Sequence, residues 1–126
     1  MSHPIGKEFD KDCPGRAILD HVTGRWGVLI LSTLSPGPLR FYELRNRVDG
    51  ISDKILIQNL RVLAADGLVE RTVVPTSPPK VSYALTELGQ GLGGHLQSLL
   101  DWIVAHTADI TEAQRRHARP PGPGPS

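Results

Sequence analysis

The sequence predicts a mainly α protein with one small β-hairpin, which is an α+β fold class. Helical patterns fill most of the stretch from residue 14 to residue 65 and return after residue 86. Between them, the runs "LVERTVV" and "KVSYAL" are rich in Val, Thr and Tyr, the residues typical of strands. A chain of 126 residues is long enough for one domain with its own core.

The first half of the chain predicts three helices before the central one. A short helix follows Cys13-Pro14, because proline suits the first helical position. A buried helix is expected at about 22–34, around the apolar run "WGVLILSTL". Pro-Gly-Pro at 36–38 breaks the pattern, and a further short helix is expected at 41–47.

The stretch "GISDKILIQNLRVLAADGLVER" predicts the central helix at about 52–65. Ser52 is suited to cap its beginning, Asp53 favours the positive end of the helix dipole, and Gly67 suits a left-handed stop. The inward stripe is expected to consist of Leu56, Leu60 and Leu63. The opposite face would then present Lys54, Ile57, Gln58 and Arg61 to a common partner.

The last third predicts a hairpin and a long helix. "PTSPP" is a proline-loaded connection between the two strands, so residues 69–85 form a hairpin with a stiff tip. Thr86 can cap the helix that follows. Its apolar stripe comprises Leu88, Leu92, Leu96, Leu99 and Ile103. Four glycines weaken its first turns, so either close packing compensates or the helix starts later: Gly89, Gly91, Gly93 and Gly94.

Composition divides the chain into a flexible arm at 1–12, a folded domain at 13–112 and a disordered Pro/Gly-rich tail at 113–126. A single cysteine cannot form an intrachain disulfide, and no signal peptide or membrane span is evident. We therefore expect a cytoplasmic protein.

Charge is distributed unevenly, although the formal net charge is only +1. Residues 40–80 hold seven basic residues against five acidic ones, whereas residues 87–114 contain no Lys or Arg. The middle of the chain is thus the expected polyanion face. The order helix, short turn, helix, hairpin is that of a winged helix-turn-helix, whose second helix enters the DNA major groove while the hairpin, or wing, lies along the backbone.

Several motifs in succession, from Cys13 to about Trp102, resemble the HxlR-type family of bacterial winged-helix transcriptional regulators. They are Cys13-Pro14, Arg25-Trp26, "GPLRFYELRNRVDGIS", "LAADGLVER", "PPKVSYALTELG" and the late Trp102. The resemblance implies a dimeric DNA-binding regulator, a repressor in some members and an activator in others, with its recognition helix at 52–65.

The candidate DNA contacts follow from that placement. Lys54 and Gln58 are candidate base readers, since lysine favours guanine acceptors and glutamine can pair with adenine. Ile57 departs from the family, where a small polar residue is usual; it would either contact a thymine methyl or turn into the core. The candidate phosphate contacts are Arg40, Arg45, Arg61 and Lys80. Ser52 is a further candidate DNA contact.

Two-fold reading of a pseudo-palindromic operator requires a dimer. The C-terminal helix is more apolar than one-sided packing needs, so we expect it to form the seam together with the first helix. The candidate dimerisation residues are Ile18, Leu19, Leu92, Leu96, Leu99, Leu100, Trp102 and Ile103. The alternative is that this stripe covers the chain's own core.

Cys13 is the candidate sensor, because a thiol at a helix N-terminus is favoured as thiolate. In many relatives the matching cysteine responds to oxidants, quinones or aldehydes. The alternative switch is a non-covalent apolar ligand at the dimer seam. Cys13 would then be an inert, small apolar residue with a structural role.

The sequence shows no enzyme motif, and its five histidines are dispersed, so no catalytic residue, metal or cofactor is expected. A winged-helix module for protein contacts is a further alternative, but it would be expected to present apolar anchors where this chain has Lys54, Gln58 and Arg61.

Overall fold

The computed structural model describes residues 10–119. In chain order its elements are α1 (Pro14–Thr23), α2 (Gly27–Leu34), β1 (Leu39–Arg40), α3 (Phe41–Arg47), α4 (Asp53–Ala65), β2 (Val69–Val74), β3 (Lys80–Leu85) and α5 (Glu87–Ala118). The mainly α class, the two central helices α3 and α4, and the hairpin of β2 and β3 are confirmed.

The helix predicted at 22–34 is wrong at its beginning. Val22 belongs to α1, and α2 begins only at Gly27. A Cβ added to Gly27 would lie 2.1 Å from the carbonyl oxygen of His21. The end of α1 and the start of α2 therefore approach so closely that only glycine fits, and the chain turns there instead of continuing as one helix.

The sheet has three antiparallel strands in the order β1-β3-β2. In the predicted hairpin, Val69 pairs with Leu85 and Val74 pairs with Lys80. The strand β1 was missed, because it has only two residues and is defined by pairing with the distant β3, where Leu39 lies opposite Tyr83. Strands this short carry no periodicity of their own.

The core is centred on α2, whose run "GVLILSTL" is apolar on several faces. Its Ile30, Leu31 and Leu34 are completely buried. Around them pack Leu39, Leu44, Val48, Ile51, Leu56, Leu60, Leu63, Leu68, Val69, Tyr83, Leu85 and Leu96. The inward leucines of α4 are thus confirmed as core residues, and burial on this scale stabilises each fully enclosed side chain by roughly 1.5–3 kcal/mol.

The chain divides into two compact units, at residues 1–96 and 97–126, with α5 passing through the boundary. The first unit contains the core and all the other elements. In the second unit, the described residues are the remainder of α5 and Arg119. Within residues 10–119, no helix is long and apolar enough to cross a membrane.

The beginning of α5 is held by the cap predicted for it. The Thr86 hydroxyl accepts a hydrogen bond from the Gly89 N–H at 3.1 Å and donates to the Gly67 carbonyl. A Cβ at Gly89 would lie 2.1 Å from the Leu68 carbonyl oxygen, and one at Gly93 would lie 3.1 Å from Ser35 Oγ. Close packing therefore compensates for the low helix propensity of these two glycines.

Two expectations about α5 need correction. Leu88 is 66% exposed and is not part of the inward stripe. The buried line runs instead through Gly89, Gly93 and Leu96, and Leu88 lies about 100° away around the helix. The helix also continues to Ala118, so residues 113–118 are helical; 1–9 and 120–126 lie outside the described residues.

Candidate nucleic-acid interface

The turn between α3 and α4 sets the angle of the predicted recognition helix. Gly50 has φ of +84°, a left-handed conformation that suits glycine, and Val48 and Ile51 on either side of it are buried. These two apolar anchors hold the turn against the core. The arrangement of α3, this turn and α4 is a helix-turn-helix, and the hairpin that follows is its wing.

Ser52 caps α4 as predicted. It has extended backbone, and its Oγ accepts a hydrogen bond from the Ile55 N–H at 3.2 Å. Asp53 lies in the first turn, at the positive end of the helix dipole. The cap and the inward leucines together determine which side chains face outward.

The outward face of α4 carries the predicted reading residues. Lys54, Gln58 and Arg61 are exposed, and they lie three or four residues apart on one side of the helix. Ile57 is 37% exposed and lies on the same face, so of the two sequence alternatives the structure supports the outward one. This face therefore combines hydrogen-bonding side chains with one apolar contact.

Arg45 links the two helices of the motif. Its guanidinium lies 3.1 Å from an Asp53 carboxylate oxygen and 4.8 Å from the centre of the Tyr42 ring. Such an exposed pair contributes at most about 1 kcal/mol to stability, so a phosphate can compete for the guanidinium. The structure places Arg45 at the edge of the α4 face, where its orientation is already restricted.

A groove of about 980 Å³ lies between α4, the first residues of α3 and the wing, and we call it the wing groove. Its cationic side chains are Arg40, Arg61, Arg71 and Lys80. Its apolar and aromatic side chains include Phe41, Tyr42, Ile57, Leu60, Val81 and Tyr83. Three of the four cations were predicted as phosphate contacts, and the structure brings them together.

Arg71 and Tyr42 are two of the groove residues that the sequence did not indicate as DNA contacts. Arg71 lies opposite Tyr83 in the β2–β3 register, and this pairing points it to the groove. The charge of Arg71 was visible in the sequence, but its side of the sheet depends on a strand pairing between residues twelve positions apart.

Cys13 is placed as the sequence indicates, immediately before α1, with Pro14 at the first helical position. It is half-buried. On the same helix, Ile18 and Leu19 are 47% and 39% exposed.

The candidate dimerisation residues of α5 fall into two groups. Leu96 is buried and Leu92 is half-buried, both packed on the core of the first unit, because the inward line of α5 passes through them. Leu96 is therefore a core residue, which corrects its assignment to the seam. In the second unit Leu99, Trp102 and Ile103 are exposed, and Leu100 is half-buried. Trp102 stacks on His106 at a centroid distance of 4.1 Å.

Comparison with known proteins agrees with this architecture. The family described as HxlR-like helix-turn-helix matches residues 21–111. The HTH-type transcriptional regulator YtfH of Escherichia coli is 41% identical over 113 residues, covering 90% of each chain.

Solved structures share the fold as well. A structure of the transcriptional regulator ytfH from Salmonella typhimurium has a TM-score of 0.81 at 43% identity, covering 88% of this chain and 98% of that one. The redox regulator HypR in its oxidised form has a TM-score of 0.68 at 35% identity, covering 74% and 96%. With its helix-turn-helix, its wing and a family match over most of its length, the chain belongs to the HxlR-like helix-turn-helix family.

Proposed function

We propose that this DNA-binding transcriptional regulator acts as a homodimer, with α4 in the major groove and the wing of β2 and β3 on the backbone. The observation that carries the proposal is the outward face of α4, where Lys54, Gln58 and Arg61 are all exposed while the opposite face is buried. The chain is expected to work in the cytoplasm.

The roles of the contacts follow from their positions. Lys54 and Gln58 lie in the first two turns of α4, the part of a recognition helix that reaches base edges. Arg40, Arg61 and Lys80 line the wing groove beside α4, so we assign them to phosphates. Arg45 lies beside Asp53 at the start of α4 and is also assigned to phosphate, Ser52 caps that helix, and Ile57 offers an apolar contact to a thymine methyl.

The homodimer is supported by exposed apolar side chains on two helices. Ile18 and Leu19 are exposed on α1 in the first unit, and Leu99, Trp102 and Ile103 are exposed on α5 in the second unit. Apolar surface of this kind marks interfaces. A two-fold dimer would place its recognition helices on half-sites about 34 Å apart.

The proposed switch is Cys13, supported by its position at the start of α1 and by the similarity to a redox regulator. Diamide would oxidise two Cys13 thiols, one from each protomer; the two sulfurs form a disulfide, and the two electrons and two protons pass to diamide, giving its hydrazine. The sequence has no second cysteine for an internal bridge.

The test measures the affinity of the protein for the DNA upstream of its own gene by fluorescence anisotropy. Wild type and Cys13→Ser are compared at several salt concentrations, before and after diamide. We expect affinity to fall log-linearly with salt, as it does when lysine and arginine neutralise phosphates. We expect diamide to change wild-type affinity at least about tenfold, or about 1.4 kcal/mol, and to leave Cys13→Ser unchanged.

The two parts of the proposal can fail separately. Binding that is absent, or that ignores salt, would contradict the DNA-binding role. Equal responses of both variants to diamide would instead show that Cys13 is structural, and the switch would then be a non-covalent ligand or the protein's own concentration.

A further inference from the structure

The wing groove combines features that DNA contact alone does not require. Its volume, about 980 Å³, is at the upper end of the range for small-molecule sites. Most of its wall is apolar, with two aromatic rings side by side, Phe41 and Tyr83, whose centroids are 6.4 Å apart. A phosphate backbone is polar and gains little from such a surface.

The charges of the wing groove all have one sign. Arg40, Arg61, Arg71 and Lys80 line it, and none of its lining residues is acidic. Within residues 10–119, no carboxylate lies within ion-pair distance of any of these four side chains. The positive charge is therefore available to an anion from outside the chain.

We propose that the wing groove binds a small planar aromatic anion, such as an aromatic carboxylate, with its ring on the apolar wall and its charge among the four cations. Stacking and burial of the ring would add to the charge attraction. A ligand with both an apolar body and one negative charge matches this lining better than a neutral ring or an inorganic anion.

The consequence rests on the proposed function. Arg40, Ile57, Arg61 and Lys80 line the groove, and we also assign them to DNA contacts. A bound aromatic anion neutralises and covers these side chains, so ligand and operator compete for the same surface. The ligand would release the protein from DNA without a change at Cys13.

The test uses 1-naphthoate as the probe, with neutral 1-naphthamide and inorganic phosphate as comparisons at equal ionic strength. Binding is followed by titration calorimetry and by the amide chemical shifts of the full-length protein. We expect 1-naphthoate to bind at least about tenfold more tightly than either comparison, with shifts concentrated at the wing groove. We also expect it to lower the affinity of the protein for its upstream DNA.

Matched variants locate the site. Ala64 lines the groove, whereas its neighbour Ala65 is also exposed but does not. Ala64→Leu fills the groove and is expected to weaken naphthoate binding at least about tenfold, while Ala65→Leu leaves it unchanged. Arg71→Gln, at an exposed strand position, should weaken naphthoate binding without filling the groove.

Several results would overturn the inference. If phosphate binds as tightly as naphthoate, the groove contacts the DNA backbone and has no preference for an aromatic ligand. No naphthoate binding, or shifts confined to α1 and α5, would exclude the groove as an effector site. Naphthoate binding that leaves DNA affinity unchanged would contradict competition. DNA binding is also measured without ligand, so that a failure of the proposed DNA-binding function can be distinguished from a failure of ligand binding.

Discussion

The helix α4 and the second-unit part of α5 differ in how their apolar residues are accommodated. In α4, Leu56, Leu60 and Leu63 are buried in the core of the first unit, while Lys54, Gln58 and Arg61 remain outside. In the second unit, Leu99 and Ile103 have the same helical spacing but remain exposed. Similar patterns thus lead to a completed core in one region and to an uncovered surface in the other.

The comparison separates two kinds of amphipathic helix. The stripe of α4 is covered within its own unit, so its outward residues are available for a different partner. Leu99, Trp102 and Ile103 remain exposed among the described residues, and we infer that a second copy of the chain covers them. The following predictions test this difference, beginning with the largest effect.

The double variant Leu99→Glu/Ile103→Glu should abolish dimerisation, because it places charges in the proposed apolar interface. Light scattering after size-exclusion chromatography should show a monomer. Operator affinity should fall at least about a hundredfold, or about 2.7 kcal/mol. Val104→Glu adds a charge beside the predicted stripe and serves as the control; a double variant that stays dimeric would refute the seam.

Removing a base reader should affect DNA binding without affecting the fold. Lys54→Ala and Gln58→Ala are each expected to weaken operator binding by about 1–3 kcal/mol and to relax the preference at one base pair. Gln97→Ala, an exposed amide on α5, should have no effect. Anisotropy with single-base operator variants measures both quantities, and uniform weakening on all sequences would reassign the residue to phosphate contact.

Replacing either of two glycines of α5 by alanine should change the free energy of unfolding, in opposite directions for the two positions. Gly89→Ala forces a Cβ against the Leu68 carbonyl and should lower the free energy of unfolding by about 1–3 kcal/mol. A Cβ at Gly91 meets nothing within 4 Å, so Gly91→Ala should raise it by about 0.4–1 kcal/mol. Urea denaturation measures both changes; equal effects would mean that α5 does not approach the Leu68 carbonyl as closely as described.

Loss of the α4 cap should have a smaller destabilising effect than Gly89→Ala. Ser52→Ala removes the acceptor for the Ile55 N–H and should cost about 1 kcal/mol in the free energy of unfolding. Ser52→Asp keeps an acceptor at the same position and should restore most of it. If urea denaturation shows no difference between alanine and serine, the hydrogen bond contributes nothing to stability.

Much of the fold could be predicted because its signals are local. The cap at Ser52, the leucine spacing of α4, the stop at Gly67 and the cap at Thr86 each depend on a few consecutive residues, and the structure confirms them. The break between α1 and α2 was misplaced, since it arises from the close contact of Gly27 with the end of α1. That contact is not encoded in any periodicity.

The part of the candidate site that depends on local helical spacing could also be predicted. Helical spacing was sufficient to place Lys54, Gln58 and Arg61 on one face, because the 3.6-residue period and the leucine stripe allow only one outward side. The wing groove required distant strands to pair, and this pairing brought Arg71 and Tyr83 opposite one another beside α4. The sequence therefore could not predict that the cations of the wing groove lie together, because they are far apart in the chain.

The helices, the hairpin and the outward face of α4 follow from local propensity, capping and periodicity, which act over a few residues. The tertiary structure alone decided that Leu96 belongs to the core while Leu99 stays exposed, and that four separate cations line one groove. The physical reason is that burial and charge proximity depend on which elements pack together, and residues far apart in the chain determine that packing.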